Sequence, residues 1–306
     1  NNFEVNRAHY LSGTGQSAKW EKNVSPGSII IPQYYVSKKS IENNHPETFQ
    51  PHILTRALGG STNRRSLISV VSSLPSGNSL ANLYSHVDEH SLMGICSIMN
   101  SLCFDFQWRL RLSGTNQSWT FLKDSFVPKT NSKLVRFISH LGLRLMGTHP
   151  TFAVFWEMDR NYFQYYDSPS DILIIERGQR ILASAIIDAI VAKMYNLSKN
   201  DLEFIFQDCF FTLEEVSMSK FTQQLNQRGF WRIDSDLEPQ ERLPSKVLEY
   251  FSILDDLWGH SENEIIKVLL DHLHNGNTAN PLIPVKYNLN DWKVLATEWK
   301  NITGDF

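Results

Sequence analysis

Cysteine is scarce in this chain, and the little present falls into no working pattern. Cys96, Cys103 and Cys209 share no C-x-x-C spacing, which excludes a zinc knuckle and a disulfide framework and reads as reduced core thiols of a cytoplasmic protein. No run approaches the ~18–20 apolar residues that a spanning helix needs. Residues 1–10 are polar and lack the charged-then-apolar form of a signal peptide. A soluble chain without a membrane partner is expected. Neither sign of charge dominates: 29 Lys and Arg against 32 Asp and Glu leave −3 over 306 residues. Any face for a polyanion must therefore be local. The first residue is Asn rather than Met, which suits a piece of a longer protein, although a removed leading segment leaves the same trace.

The common catalytic signatures are also missing. A methyltransferase that uses S-adenosylmethionine needs a glycine-bearing loop after its first strand, and amino-methylating enzymes add an Asp/Asn-Pro-Pro-aromatic motif; neither is written here. Gly13-Thr14-Gly15 and Gly59-Gly60 stand without the following helix that a nucleotide-binding loop requires. There is no Gly-x-Ser-x-Gly elbow and no phosphate-binding loop. The pairs His86/His90 and His272/His274 lack a third ligand at a recognisable spacing, so no metal is expected. Asp291/Lys293 and Glu298/Lys300 show the acid-x-Lys spacing of metal-dependent nucleases. Trp292, Val294, Leu295 and Trp299 in the same run have helical apolar spacing, so a solvated helix face also explains it.

What is present is a chain with 42% apolar residues, enough for a full core and about two domains. The first ~130 residues carry Ser, Asn, Gly and Pro between short β-prone runs such as 28–31 and 66–71. One helix is expected over 90–112, from the spacing of Leu92, Ile95, Met99, Leu102, Cys103 and Phe106, ending at a left-handed glycine near Ser113-Gly114. An aromatic stretch, 151–166, fits a buried hairpin or a base-stacking platform. From Ile174 helices take over. Ile181, Leu182, Ala185, Ile186, Ala189 and Ile190 form an apolar stripe, Ser198 and Asp201 make an N-cap, and Arg228-Gly229 marks a turn. Pro244 opens another helix and 262–273 reads as an amphipathic one. The expected fold is mixed α/β (α+β): a strand-rich recognition domain over 1–150, then a mainly helical domain over 151–306.

Two basic clusters carry the functional signal. Arg56, Arg64 and Arg65 bracket Gly59-Gly60-Ser61-Thr62-Asn63, joining guanidinium forks to small hydrogen-bonding side chains in one loop. Arginine takes guanine bidentately, asparagine takes adenine, and hydroxyls suit phosphates; a polar hairpin loop without a ligand has the same composition. Arg109 and Arg111, followed by Ser113-Gly114-Thr115-Asn116-Gln117, form a second cluster at a helix end. There the helix dipole also favours cations without any ligand.

The order of these segments is similar to a known family. Residues 56–68, the run 98–106 with Asn100-Ser101 before Phe104-Asp105-Phe106, then Arg109, and Ser113-Gly114-Thr115-Asn116 resemble the C-terminal specificity region of type II N6-adenine DNA methyltransferases and fused type II restriction–modification enzymes. Glu176-Arg177, the run 188–198, Arg228-Gly229-Phe230-Trp231-Arg232-Ile233-Asp234 and Glu241-Arg242-Leu243-Pro244 resemble the helical tail of the same proteins. Gly59-Gly60 stand where the family has Ala or Ser, and Asn196 where glycine is common.

The resemblance implies sequence-specific contact with double-stranded DNA. It places the catalytic domain, with its S-adenosylmethionine, N-terminal to this region in the parent chain, leaving no cofactor in this part. Base contacts are expected from Arg56, Ser61, Thr62, Asn63, Arg64 and Arg65, and phosphate contacts from Arg109, Arg111, Thr115, Asn116 and Gln117. Asn100, Asp105 and Phe106 are expected to hold the helix. Two rivals are a protein-interaction module of a phage-defence complex and a nuclease built on Asp291, Lys293, Glu298 and Lys300.

Overall fold

A computed structural model describes residues 7–14, 17–23, 35–77, 79–84, 89–117, 119–147, 152, 155, 174 and 176–275. The run 28–31, His86, most of the aromatic stretch 151–166 and the acid-x-Lys pairs of 291–300 lie outside the described residues.

Two small sheets and eleven helices are present among the described residues. Strands β1 (Arg7–Ser12) and β2 (Lys19–Asn23) form an antiparallel hairpin. In the second sheet β3 (His52–Arg56) lies between β4 (Ser69–Ser72) and β5 (Leu80–Leu83), antiparallel to both. Ile53 faces Val71 on one side and Leu83 on the other. As the central strand, β3 is buried from His52 to Thr55, whereas β4 alternates, with Ser69 and Val71 inward. Helices α1 (Lys38–Asn44), α2 (Glu89–Met99), α3 (Leu102–Arg111), α4 (Trp119–Lys123) and α5 (Lys133–Met146) belong to the same half. Helix therefore outweighs strand in the described part of residues 1–150, and the strand-rich character expected there is not what forms.

The second half is built on α6 (Arg177–Met194), followed by α7 (Lys199–Ile205), α8 (Leu213–Ser217), α9 (Ser219–Thr222), α10 (Leu243–Leu257) and α11 (Glu262–Asn275). Helix α6 is buried on nearly every side, because Ala183, Ala185, Ala189 and Ala192 leave room for neighbours at close range. It packs against α10, α5, α2 and α3. One apolar cluster joins Ile53, Leu67 and Val71 of the sheet region to α2, α5, α6, α10 and Leu269 of α11.

The helix expected over 90–112 is two helices. The chain breaks at Asn100-Ser101, where the Ser101 side chain accepts from the Phe104 amide and caps α3. Asn100 turns inward, accepting from Ser69 N at 2.9 Å and donating to Ser69 O at 2.8 Å. Its amide thus takes the place of a strand neighbour along β4. The helix ends at Leu112 with φ −71° rather than at a left-handed glycine. The predicted Ser198 cap is a capping box with Asp201, and Pro244 stands in the first turn of α10. Asn196, at a position where glycine is common, adopts φ 57°, the left-handed conformation that asparagine tolerates better than most residues.

Candidate nucleic-acid interface

The segment 57–68 between β3 and β4 is pinned from beneath by α3. Asp105, on the first turn of that helix, accepts from Ser66 N at 3.0 Å and Leu67 N at 2.9 Å through Oδ1. Its Oδ2 accepts from Arg109 Nε at 3.0 Å and Nη2 at 2.9 Å. The same guanidinium donates to four main-chain carbonyls: Asn63 at 2.9 Å, Arg64 at 2.7 Å, and Arg228 and Gly229 at 3.0 Å each. It also lies 4.2 Å from the Phe230 ring centroid. Burial pulls the Arg109 pKa below the usual arginine value, and the Asp105 carboxylate opposes that pull.

Further ties fix the rest of the loop. Arg56 Nη2 donates to the carbonyls of Arg65 at 2.9 Å and Ser66 at 3.0 Å, Ser66 Oγ donates to Gly60 O, and Gln117 Nε2 donates to Ser66 O at 2.6 Å. The two predicted loops, some fifty residues apart in sequence, meet through the main chain: Gly59 N donates to Thr115 O at 2.8 Å and Gln117 N to Ala57 O at 3.0 Å. Gly59 permits that approach, since a Cβ there would stand 2.4 Å from Gln117 Nε2 and 2.5 Å from Ser66 O.

A second knot lies beside the first. Asp234, buried and at φ 49°, accepts from Arg64 Nη2 at 2.8 Å, Arg177 Nη2 at 3.4 Å and Leu243 N at 3.3 Å. Arg177 also takes Asp236 with both terminal nitrogens, at 2.6 and 2.8 Å, which holds that carboxyl down to about 2. Asp105, Arg109 and Asp234 thus tie the loop 63–67 to Arg177, to the turn at Arg228-Gly229 and to the Leu243 amide, while the 115–117 loop joins it through Gly59, Ala57 and Ser66.

Placement separates the predicted residues into two groups. Arg65 and Arg109 are internal: Arg65 donates to Asn100 O at 3.2 Å and faces Asp188 at 4.0 Å, and Arg109 is 1% exposed. Both guanidiniums are buried and turned toward the protein's own groups. Arg56 is half-buried and bonded inward. Arg111, two residues beyond Arg109 and about 200° around the helix, points away from the loop and donates to Ser125 Oγ at 3.1 Å. Outward-facing are Thr62, Asn63, Thr115 and Asn116, with Ser61 and Gln117 half-buried and the Arg64 side chain 34% exposed. Asn100 and Asp105 hold the helix as expected, and Phe106 packs against the core.

Sequence reading missed the inward aim of Arg109, although a signal was available. Asp105 and Arg109 are four apart on one helix, the spacing of an intrahelical ion pair. Cysteine chemistry finds no support: Cys96, Cys103 and Cys209 are buried and free, and burial pushes each thiol up, Cys96 to about 12. No cluster of three metal-ligating side chains occurs among the described residues, and no helix there is long and apolar enough to cross a membrane. Comparison with protein-family models, curated proteins and solved structures finds no match to this chain.

Proposed function

We propose that this chain is the double-stranded-DNA target-recognition region of an N6-adenine DNA methyltransferase or a fused restriction–modification enzyme. It grips the duplex while the target adenine is flipped into a catalytic domain elsewhere in the parent protein. S-adenosylmethionine belongs to that domain, and no described residue is assigned to it.

One observation carries the reading. Ser61, Thr62, Asn63, Thr115 and Asn116 have no side-chain hydrogen bonds to other described residues, while the backbone at and beside them is tied down: Arg109 holds the carbonyls of Asn63 and Arg64, Arg56 and Gln117 hold those of Arg65 and Ser66, and Gly59 N donates to Thr115 O. Side chains read base edges only when the backbone holds them in register, and a pinned loop with unsatisfied polar tips meets that need. Arg64, part-exposed, supplies a cation at the same edge. The ordered motifs of the resemblance add the substrate class.

Affinity selection of a random duplex library on the chain at two salt concentrations tests this. An enriched motif of a few base pairs, with retention falling steeply as salt rises, is the expected outcome. Retention of no duplex, repeated with the methyltransferase domain joined to the chain, would overturn the reading. A second reading, a protein-interaction module of a phage-defence complex, is favoured by the exposed apolar side chains Phe204, Phe210 and Met218 in the helical half. Association that is insensitive to salt would select it.

A further inference from the structure

We propose that the turn 226–229 is a second wall of the same DNA-facing surface, with Arg228 as a phosphate contact and Arg109 as the buried positioning residue that holds both walls. The inference rests on the DNA-recognition reading of the loop 61–64. Two observations from another part of the chain carry it.

The first is the fork of Arg109. Nη2 holds the carbonyls of Asn63 and Arg64 while Nη1 holds those of Arg228 and Gly229. Two hydrogen-bond lengths and the width of one guanidinium keep the two backbones within roughly 8 Å. Anything seated against Asn63 and Arg64 therefore has the 226–229 turn at its side.

The second is an exposed cation without a partner. The Arg228 side chain makes no hydrogen bond or ion pair with any described residue, while the arginines around it are engaged. Arg232 braces the turn, donating to Gln227 O at 3.1 Å and to Gln227 Oε1 at 2.5 Å, and stacks 4.1 Å from the Trp231 centroid. Arg64 and Arg177 are tied to Asp234. The Asn226 side chain accepts from Arg228 N at 3.0 Å, so the turn itself is set. One acid lies near: Asp208, whose Oδ2 comes within 3.2 Å of the Cβ position at Gly229. A long cation on a fixed turn, with no second group to orient its fork, suits a phosphate oxygen rather than a base edge, because phosphate contact tolerates rotamer freedom and base reading does not.

The test is the salt dependence of binding to a random-sequence duplex by the wild-type chain, Arg228→Gln and, as a control on the exposed face of α11, Lys267→Gln. The inference requires that Arg228→Gln weaken binding uniformly across sequences and reduce the slope of log affinity against log salt by about one, with Lys267→Gln unchanged. Wild-type binding with an unaltered slope for Arg228→Gln would overturn this inference and leave the DNA-recognition reading standing. No salt-dependent wild-type binding, with or without the methyltransferase domain, would overturn both.

Discussion

Replacing Arg109 by methionine should cost the fold about 3–5 kcal/mol, the usual loss when one member of a buried ion pair is removed. Methionine occupies much of the same volume but returns no donor. Asp105 keeps the amides of Ser66 and Leu67 and loses the cation 2.9 Å away while remaining 1% exposed. The carbonyls of Asn63, Arg64, Arg228 and Gly229 lose a shared donor, and Phe230 loses a cation 4.2 Å from its ring centroid. At about 2 °C per kcal/mol for a chain of this size, the melting midpoint by far-ultraviolet circular dichroism should fall by roughly 6–10 °C. Arg109→Lys should recover only part of this, because an ammonium keeps the charge but cannot span four carbonyls and a carboxylate. Combining Arg109→Met with Asp105→Asn should cost less than the two single changes together, by about 0.5–3 kcal/mol. A loss below about 1 kcal/mol, additive with Asp105→Asn, would refute the argument and return Arg109 to the set of side chains free to touch DNA.

Two further outcomes follow from the same region. Burial pushes the Asp188 carboxyl from 3.8 up to about 6, against the opposing pull of Arg65 and the Leu102 amide. Its protonated form therefore stabilises the fold below about pH 4, and that contribution, on the order of 3 kcal/mol, is lost as pH rises through about 6. Asp188→Asn should flatten the stability profile between pH 4 and 6 in urea titrations relative to the wild type; identical profiles would remove Asp188 as the cause. At the loop, Gly59→Ala forces a Cβ to within 2.5 Å of the Ser66 carbonyl, whereas the nearest neighbour at Gly60 stands 3.7 Å away. Gly59→Ala should lower stability by about 1–3 kcal/mol and Gly60→Ala by no more than about 0.5 kcal/mol in thermal melts. Equal effects at the two glycines would contradict the close approach seen at Gly59.

Much of the helical half was legible because its signals are local. Ser198 and Asp201 lie within one turn of each other, Pro244 needs only its own ring to favour a first helical turn, and α11 declares itself through its apolar spacing. The break between α2 and α3 was not legible. Apolar spacing runs on through Asn100-Ser101 because both helices bury residues in the same core, and what stops the first is an amide bonded to Ser69, 31 residues earlier. The candidate site divides in the same way. Clustered arginines and small polar residues marked two loops that the fold joins, but composition is blind to the direction in which a guanidinium points. Arg228 was read as part of a turn and of the 228–234 segment, and its place next to the 63–64 loop follows from the fork of Arg109.

Taken alone, the sequence determined the elements whose causes lie within a turn or two of chain: α6, the caps, the free thiols, and the absence of any familiar catalytic loop. Tertiary structure alone decided which arginines are structural and which face outward, and that segments 56–68, 113–117 and 228–234 form one edge. The reason is energetic. An arginine on an isolated segment is solvated whichever way it points. Only when distant chain brings four carbonyls up to the Asp105–Arg109 pair does the inward rotamer of Arg109 offset the cost of leaving water.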